Sequence, residues 1–188
     1  MITLAKISII RGETKVLQDF SATIAQHQAT LLSGPNGSGK TSLIQAIAGT
    51  LPIATGEISI DGVDPYHSKA MELAKLRSVA PQRRTFSLAF SVAEVIEFIP
   101  ARERANHWES TLELLGLKKL LTKKVTELSI GQQQRVSLGL ALIQDSKFYL
   151  LDEPFSAQDS EYQIRILQLI DELKKERGVL VVSHNTDS

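Results

Sequence analysis

The chain has 188 residues, enough for one domain with a real core, or one domain plus a small lobe. It is 43% hydrophobic and 22% charged, and its 21 basic residues balance 21 acidic ones, so there is no global pull toward nucleic acid or anionic lipid. It has no cysteine, which excludes disulfides, thiolate metal sites and a cysteine nucleophile and fits a reducing compartment.

The opening MITLAKISII lacks the layout of a secretory signal, and residues 2–10 read as a strand. Residues 16–24 read as a second, with Phe20, Ala22 and Ile24 in alternation. ATLLS at 29–33 is an apolar run leading straight into GPNGSGKT at 34–41. TSLIQAIAG then reads as a helix, with Leu43, Ile44 and Ile47 on one face and Gly49 just past its end. GEISIDG at 56–62 alternates and turns at Asp61-Gly62. Arg77, Arg83 and Arg84 form the one local basic cluster, which reads as a solvated rim. Residues 86–127 read as helical: Ser91 and Glu94 have capping-box spacing, and Pro100 separates that helix from the next. Ala105, Trp108, Leu112 and Leu115 then share a face that Gly116 closes. The most apolar window, FSLAFSVAEVIEFI, is broken by Glu94 and Glu97, so the chain is not expected to span a membrane by itself. A third helix begins near Gln132, with Val136, Gly139, Leu140 and Ile143 on one side. FYLLDEP reads as a buried strand ending in two carboxylates. A helix from about Asp159 turns Ile166, Leu169, Ile170 and Leu173 inward, and GVLVVSH is the last strand. Strands alternating with helices predict an α/β fold with a parallel sheet between helices.

Two stretches carry phosphate chemistry. GPNGSGKT fits G-x-x-x-x-G-K-[ST] between a strand and a helix. There the backbone of Gly34, Pro35, Asn36, Gly37, Ser38 and Gly39 wraps a phosphate. Lys40 reaches the β- and γ-phosphates, Thr41 offers its hydroxyl to Mg²⁺, and Ser42 follows in the first turn. The bland alternative is a glycine-rich turn at a helix start; the strand before the loop and the helix after it favour the phosphate loop. LLDEP at 150–154 supplies Asp152 to hold the ion and Glu153 as candidate general base; without the loop the pair would read as an acidic turn before Pro154. The second stretch is TELSIGQQQR, where Ser129 and Gly131 stand at the start of a helix. That is either an ordinary N-cap or a second anion site, formed by free N–H groups, a hydroxyl and the helix dipole.

Together these segments resemble the ATP-binding-cassette (ABC) ATPases, in the right order and over essentially the whole chain. GPNGSGKT is similar to their Walker A, LSIGQQQR at 128–135 to the signature written LSGGQ, and LLDEP with SAQD at 156–159 to Walker B and the D-loop. Gln82 in VAPQR is similar to the Q-loop glutamine, which contacts Mg²⁺ and the γ-phosphate, and His184 in VVSHN to the switch histidine. Taken singly, a Gln after Pro or a His after an apolar strand is more often a solvated residue. The resemblance implies one domain over 1–188. That domain is a P-loop core with a mixed or parallel sheet, an N-terminal antiparallel β subdomain and a helical subdomain inserted at about 83–135. It implies ATP as substrate and Mg²⁺ as cofactor, with Glu153, His184 and Gln82 catalytic and Thr41, Gln82 and Asp152 around the metal. It also implies head-to-tail pairing with a second ABC ATPase chain, identical or related. In such a pair Ser129, Gly131, Gln132 and Asp159 of one chain meet the ATP held by the other.

The chain departs from the pattern in places: Ile130 and Gln158 stand where the family usually has Gly and Leu, and Leu140 where Arg is common. The first hairpin offers Arg11 but no ring for adenine. The family commonly continues past the switch histidine, so the chain reads as a minimal or shortened cassette. The leading expectation is the ATPase subunit of a membrane transporter. It would lie at the cytoplasmic face of the cell membrane, bound to separate permease subunits and not to nucleic acid. RRTFSLAFSV reads as a docking surface, unless Phe86, Leu88 and Phe90 simply pack the lobe. The alternative is a soluble ABC ATPase of translation, DNA repair or iron–sulfur assembly; a P-loop kinase or switch GTPase would need neither LSIGQ nor His184.

Overall fold

The computed structural model describes residues 1–184. Its first element, β1 (Ile2–Arg11), pairs antiparallel with β2 (Thr14–Ile24) and with β4 (Thr55–Ile60), giving a sheet of order β2-β1-β4. Between them come β3 (Gln28–Ser33) and α1 (Lys40–Ile47), on either side of the glycine loop. The turn at Asp61-Gly62 is closed by reciprocal backbone bonds of Ile60 and Val63 at 2.9 and 3.0 Å.

The second sheet is parallel throughout, in the order β3-β7-β6-β5, with β5 at Arg77–Ala80, β6 at Phe148–Asp152 and β7 at Gly178–Ser183. Every residue of β6 and β7 is buried. Strands covered on both faces lose the polar alternation of a half-exposed strand, which is why both read as continuous apolar runs. The pleat still sorts their side chains. Tyr149, Leu151, Val179 and Val181 enter a core shared with the helices that follow residue 92. Phe148, Leu150, Leu180 and Val182 enter another, shared with α1 and the antiparallel sheet.

Two short elements escaped the sequence reading, α2 (Ala70–Leu76) and β5. Seven and four residues are too few to show a period. Tertiary bonds hold them: the Ser146 hydroxyl and the Gln144 amide donate to the Ala74 carbonyl at 2.6 and 2.7 Å, and the Arg77 guanidinium to that of Ala48 at 2.6 Å. The stretch 86–127 is less helical than its pattern suggests. It holds α3 (Val92–Glu97) with the expected Ser91/Glu94 capping box, α4 (Trp108–Leu114), and 3₁₀ turns at Ala101–Glu103, Leu117–Leu120 and Val125–Glu127. Ala105 precedes α4 and is buried by pairing its N–H with Ile143, not by lying on a helix face. The next helix, α5 (Ile130–Ile143), starts two residues before Gln132, and α6 (Ser160–Leu173) buries the four residues foreseen for it.

His107, at the N-terminus of α4, bonds through Nε2 to the Leu142 carbonyl at 3.0 Å and so joins α4 to the end of α5. Burial is the largest influence on its imidazole and lowers its pKa below the ordinary 6.5. The unfolded chain therefore takes up a proton before the folded one does. The neutral ring's contribution is complete above about 6.5 and is lost as pH falls through the lower folded-state value. Melting temperature should consequently fall less between pH 7.5 and 5.5 in His107→Gln, which keeps a donor but does not titrate, than in the wild type. Equal falls by differential scanning calorimetry would rule out His107 as the source.

Candidate active site

In a parallel sheet, every strand delivers its next residue to the same edge. Here Ser33 pairs with Ser183, Asp152 with Val182 and Ala80 with Leu151. The glycine loop, Gln82, the Asp152-Glu153 pair and His184, spread over 150 positions of sequence, thus emerge side by side. A cavity of about 440 Å³ opens beside them, lined by Gly39, Lys40, Thr41, Arg11, Gln82 and Glu153; Asp152 and His184 are not in its lining, and His184 instead lines a second cavity that shares Glu153.

The loop's geometry follows from its glycines. Gly39, the N-cap of α1, has φ 91°, and a Cβ added there would sit 2.9 Å from the Val16 carbonyl oxygen of β2. Only glycine combines that backbone with that approach. No side chain caps α1, so its first N–H groups are left for an anion. Lys40 is buried, and its ammonium donates to the loop's own carbonyls, Gly34 at 2.6 Å and Pro35 at 2.9 Å.

Asp152 is 3% exposed, and its Oδ1 has no hydrogen-bond partner. Burial raises its pKa above the usual range, opposed chiefly by hydrogen bonding from the Thr41 side chain; the Glu153 charge raises it further and the Lys40 charge lowers it. A buried carboxylate oxygen left open beside a hydroxyl fits a hard divalent cation such as Mg²⁺. Among the described residues no cluster of three or more His, Cys, Asp or Glu could hold a metal alone. Such an ion would complete its shell with phosphate and water, as Mg²⁺ usually does.

Glu153 follows Asp152 but has φ 53°, a strained value for a side chain of this size. The Glu153 N–H stays in the sheet, donating to Val182 at 3.0 Å, while its Oε2 lies 2.7 Å from Nδ1 of His184. Gln82 is exposed on the cavity rim. Arg11 also reaches the cavity, tethered to α1 by a 2.9 Å bond to Gln45.

The signature residues lie apart from this cluster. Ser129 and Gln132 form a reciprocal capping box at the start of α5, with bonds of 3.3 and 3.1 Å. Asp159 caps α6 by accepting from the Tyr162 N–H at 3.1 Å. Ile130 is 79% exposed, and among the described residues none from 128–135 lines the glycine-loop cavity. Two participants had no signal in the sequence. Val16 closes on Gly39 from another strand, and Gln134 donates to the Glu153 carbonyl at 3.1 Å from another helix.

Comparison with known proteins identifies the family of the chain. The family described as ABC transporter matches residues 17–156. The glutamate/aspartate import ATP-binding protein GltL of Escherichia coli (strain K12) is 37% identical over 199 residues, covering 98% of this chain and 80% of that protein. The uncharacterized ABC transporter ATP-binding protein YvrA of Bacillus subtilis (strain 168) is 34% identical over 92% of this chain, which spans 41% of that relative's length. A solved dimeric structure of a bacterial ABC transporter cassette superposes with a TM-score of 0.86 at 25% identity, covering 98% of this chain and 88% of that one.

The two loop glycines with positive φ offer a graded test. Gly37 has φ 81° but open space where a Cβ would go, whereas Gly39 meets Val16. Gly37→Ala is expected to cost about 1 kcal/mol of unfolding free energy from backbone strain alone, and Gly39→Ala about 2–4 kcal/mol. Urea titration of both variants measures the difference; equal costs would show that the Val16 contact imposes nothing.

Proposed function

The chain belongs to the ABC transporter family, and we propose that it is the ATP-hydrolysing subunit of a transporter, working in pairs to drive separate permease subunits. The observation that carries this reading is the separation of the two phosphate sites. The glycine-loop cavity is lined by Lys40, Thr41 and the buried Glu153, while the exposed turn at 129–131 lines no part of it. A head-to-tail pair supplies each cavity with the signature turn of the other chain, and the similarity to a solved dimeric cassette supports that arrangement. The second chain is another copy or a related ATPase.

In the proposed cycle the N–H groups of 34–39 and of the first turn of α1 take the β- and γ-phosphates. Lys40 moves from its loop carbonyls onto them. Asp152 and Thr41 would hold Mg²⁺ with Gln82 beside it, and the ion would supply charge neutralisation for the phosphoryl group. Glu153 accepts a proton from the attacking water, and His184 holds that carboxylate in place through its 2.7 Å contact while facing the γ-phosphate. The partner's Ser129 hydroxyl and the N–H of its Gly131 close the far side, with Gln132 and Asp159 at the same interface. ATP thus joins the chains, and its cleavage to ADP and phosphate releases them.

Permease contact is proposed at the groove of about 510 Å³ between the end of α1, β5 and α3, where Arg77, Pro81, Phe98 and Ile99 meet. Phe86 and Phe90 pack against the helical core, but Leu88 and Phe98 are 64% and 65% exposed. Among the described residues no helix is long and apolar enough to cross a membrane, and the proposed pore belongs to the permease subunits. This reading puts the chain at the cytoplasmic face, with no nucleic-acid partner.

Glu153→Gln should lower kcat at least about a hundredfold while ATP-dependent pairing persists, because an amide cannot take the proton; near-normal turnover would exclude Glu153 as the base. The shared site is tested by mixing two inactive variants, Lys40→Ala and Ser129→Arg. A mixed pair carries both defects in one site and neither in the other. Phosphate release above both parents, peaking near equal mixing, is expected. Normal hydrolysis by Ser129→Arg alone would show that the signature does not serve a partner.

A further inference from the structure

Besides the arginines at 77–84, the helical lobe carries a lysine ridge that the sequence reading passed over. Residues 114–126, LLGLKKLLTKKVT, hold four lysines and no acidic residue, in a chain whose overall charge is zero. The fold turns all four outward. In the 3₁₀ turn at Leu117–Leu120, residues three apart share a side, so Leu117 and Leu120 are buried together. Lys118 and Lys119 between them are exposed, and so are Lys123 and Lys124 ahead of the buried Val125. Lys118 meets Glu113 at 3.1 Å, an open surface pair of little strength. Among the described residues Lys119, Lys123 and Lys124 make no ion pair.

The ridge is fixed relative to the groove proposed for the permease. Its second half is bonded to the start of α3: the N–H groups of Val92 and Ala93 donate to the carbonyls of Lys123 and Leu121, both at 3.0 Å, and the Val125 N–H to that of Phe90 at 2.9 Å. The other end of α3 lines the groove through Val95, with Phe98 and Ile99 just past the helix. Six residues of helix span about 9 Å, so ridge and groove sit at the two ends of one short element. Leu88, 64% exposed, leads into the lysine end of that helix. Lysine suits a diffuse anionic surface: its ammonium is a point charge on a flexible stem, without the planar fork by which arginine grips a fixed carboxylate.

We propose that the lysine ridge at 118–124 binds anionic phospholipid headgroups and so holds the helical lobe against the bilayer beside the permease. This rests on the permease reading above, since a membrane-spanning partner seated in the groove brings the headgroup layer toward that end of the lobe. Four lysines reach the size of cluster that anionic membranes attract, at about fivefold in partition for each. The attraction is local, because the chain as a whole has no net charge to supply it. It weakens as salt screens the charges. None of the four lysines lines the glycine-loop cavity, so ATP cleavage by the free chain does not depend on them.

The test is sedimentation of the purified full chain with vesicles of phosphatidylglycerol and phosphatidylcholine in equal parts, and with pure phosphatidylcholine as the neutral control. Wild type is compared with Lys119→Gln/Lys123→Gln/Lys124→Gln, which leaves the lysine that meets Glu113, and with Lys119→Arg/Lys123→Arg/Lys124→Arg, which keeps the charges. Arg83→Gln/Arg84→Gln controls for charge lost elsewhere. Wild type should bind the anionic vesicles, leave them at about 0.5 M salt and ignore the neutral ones. The glutamine variant should bind roughly a hundredfold more weakly, the arginine variant like wild type, and the Arg83/Arg84 control far better than the glutamine variant. ATPase activity and melting temperature should be unchanged in both lysine variants. Absence of wild-type binding, equal binding by the glutamine variant, or an equal loss in the Arg83/Arg84 control would overturn the proposal. Lysine-dependent retention on immobilised polyglutamate, with none on vesicles, would overturn it in favour of an acidic protein partner. Urea-washed membranes of the source cell, set against vesicles of their extracted lipids, separate the two readings. Lysine-independent binding to the membranes alone overturns the ridge and keeps the permease. Lysine-dependent binding no tighter to the membranes than to their lipids keeps the ridge and removes the permease.

Discussion

The architecture depends on one constraint, which is that an acidic pair must be held at the end of a strand that is buried along its whole length. All five residues of Phe148–Asp152 are buried, and the neighbouring strands on both sides are parallel to it. A strand so placed can tolerate a carboxylate only where it leaves the sheet. Both faces must be covered, which calls for α1 and the antiparallel sheet on one side and the helices after residue 92 on the other. Parallel alignment then brings the glycine loop, Gln82 and His184 to the same edge without any of them needing to be close in sequence.

Two adjacent carboxylates at such an edge would ordinarily compete for one proton or one cation. The two side chains nevertheless have different surroundings, although the Glu153 charge still raises the pKa of Asp152. Asp152 is left beside Thr41 with an open oxygen, and Glu153 beside the imidazole of His184. The backbone strain at Glu153 is confined by bonds on every side: Val182 holds the Glu153 N–H, and Gln134 and Ser156 hold its carbonyl. Under the proposed reading the metal-side and base roles fall to separate groups.

The turn at Ser129–Gly131 shows how a commonplace device can serve a second purpose. Within one chain it is a complete capping box, with the Ser129 hydroxyl occupied by the Gln132 N–H. The ordinary N-cap foreseen as an alternative is therefore present, and it is compatible with the other reading. A capped turn is rigid, and Ile130 adds a stiff β-branched side chain at its tip, 79% exposed. Such a turn suits docking against another surface.

Much of the molecule was legible in the sequence because its signals are local. The glycine loop between strand and helix, the apolar run ending in Asp152-Glu153, the capping boxes at Ser91 and Ser129 and the inward face of α6 are each written within about a dozen residues. Family resemblance added the roles expected of Gln82 and His184, which no local pattern supports. What tertiary structure alone decided is whatever depends on distant partners. Arg77–Ala80 is a strand because Phe148–Leu151 pairs with it, and Ala105 is buried because it meets Ile143, not because a helix face puts it there. The closeness of Val16 to Gly39, the contact between Glu153 and His184, and the bond from Gln134 to Glu153 join residues that no spacing rule relates. Composition and periodicity select elements and faces, since these follow from burial and backbone geometry. Which side chains then touch is set by strand order and register, and those emerge only when the whole sheet is assembled.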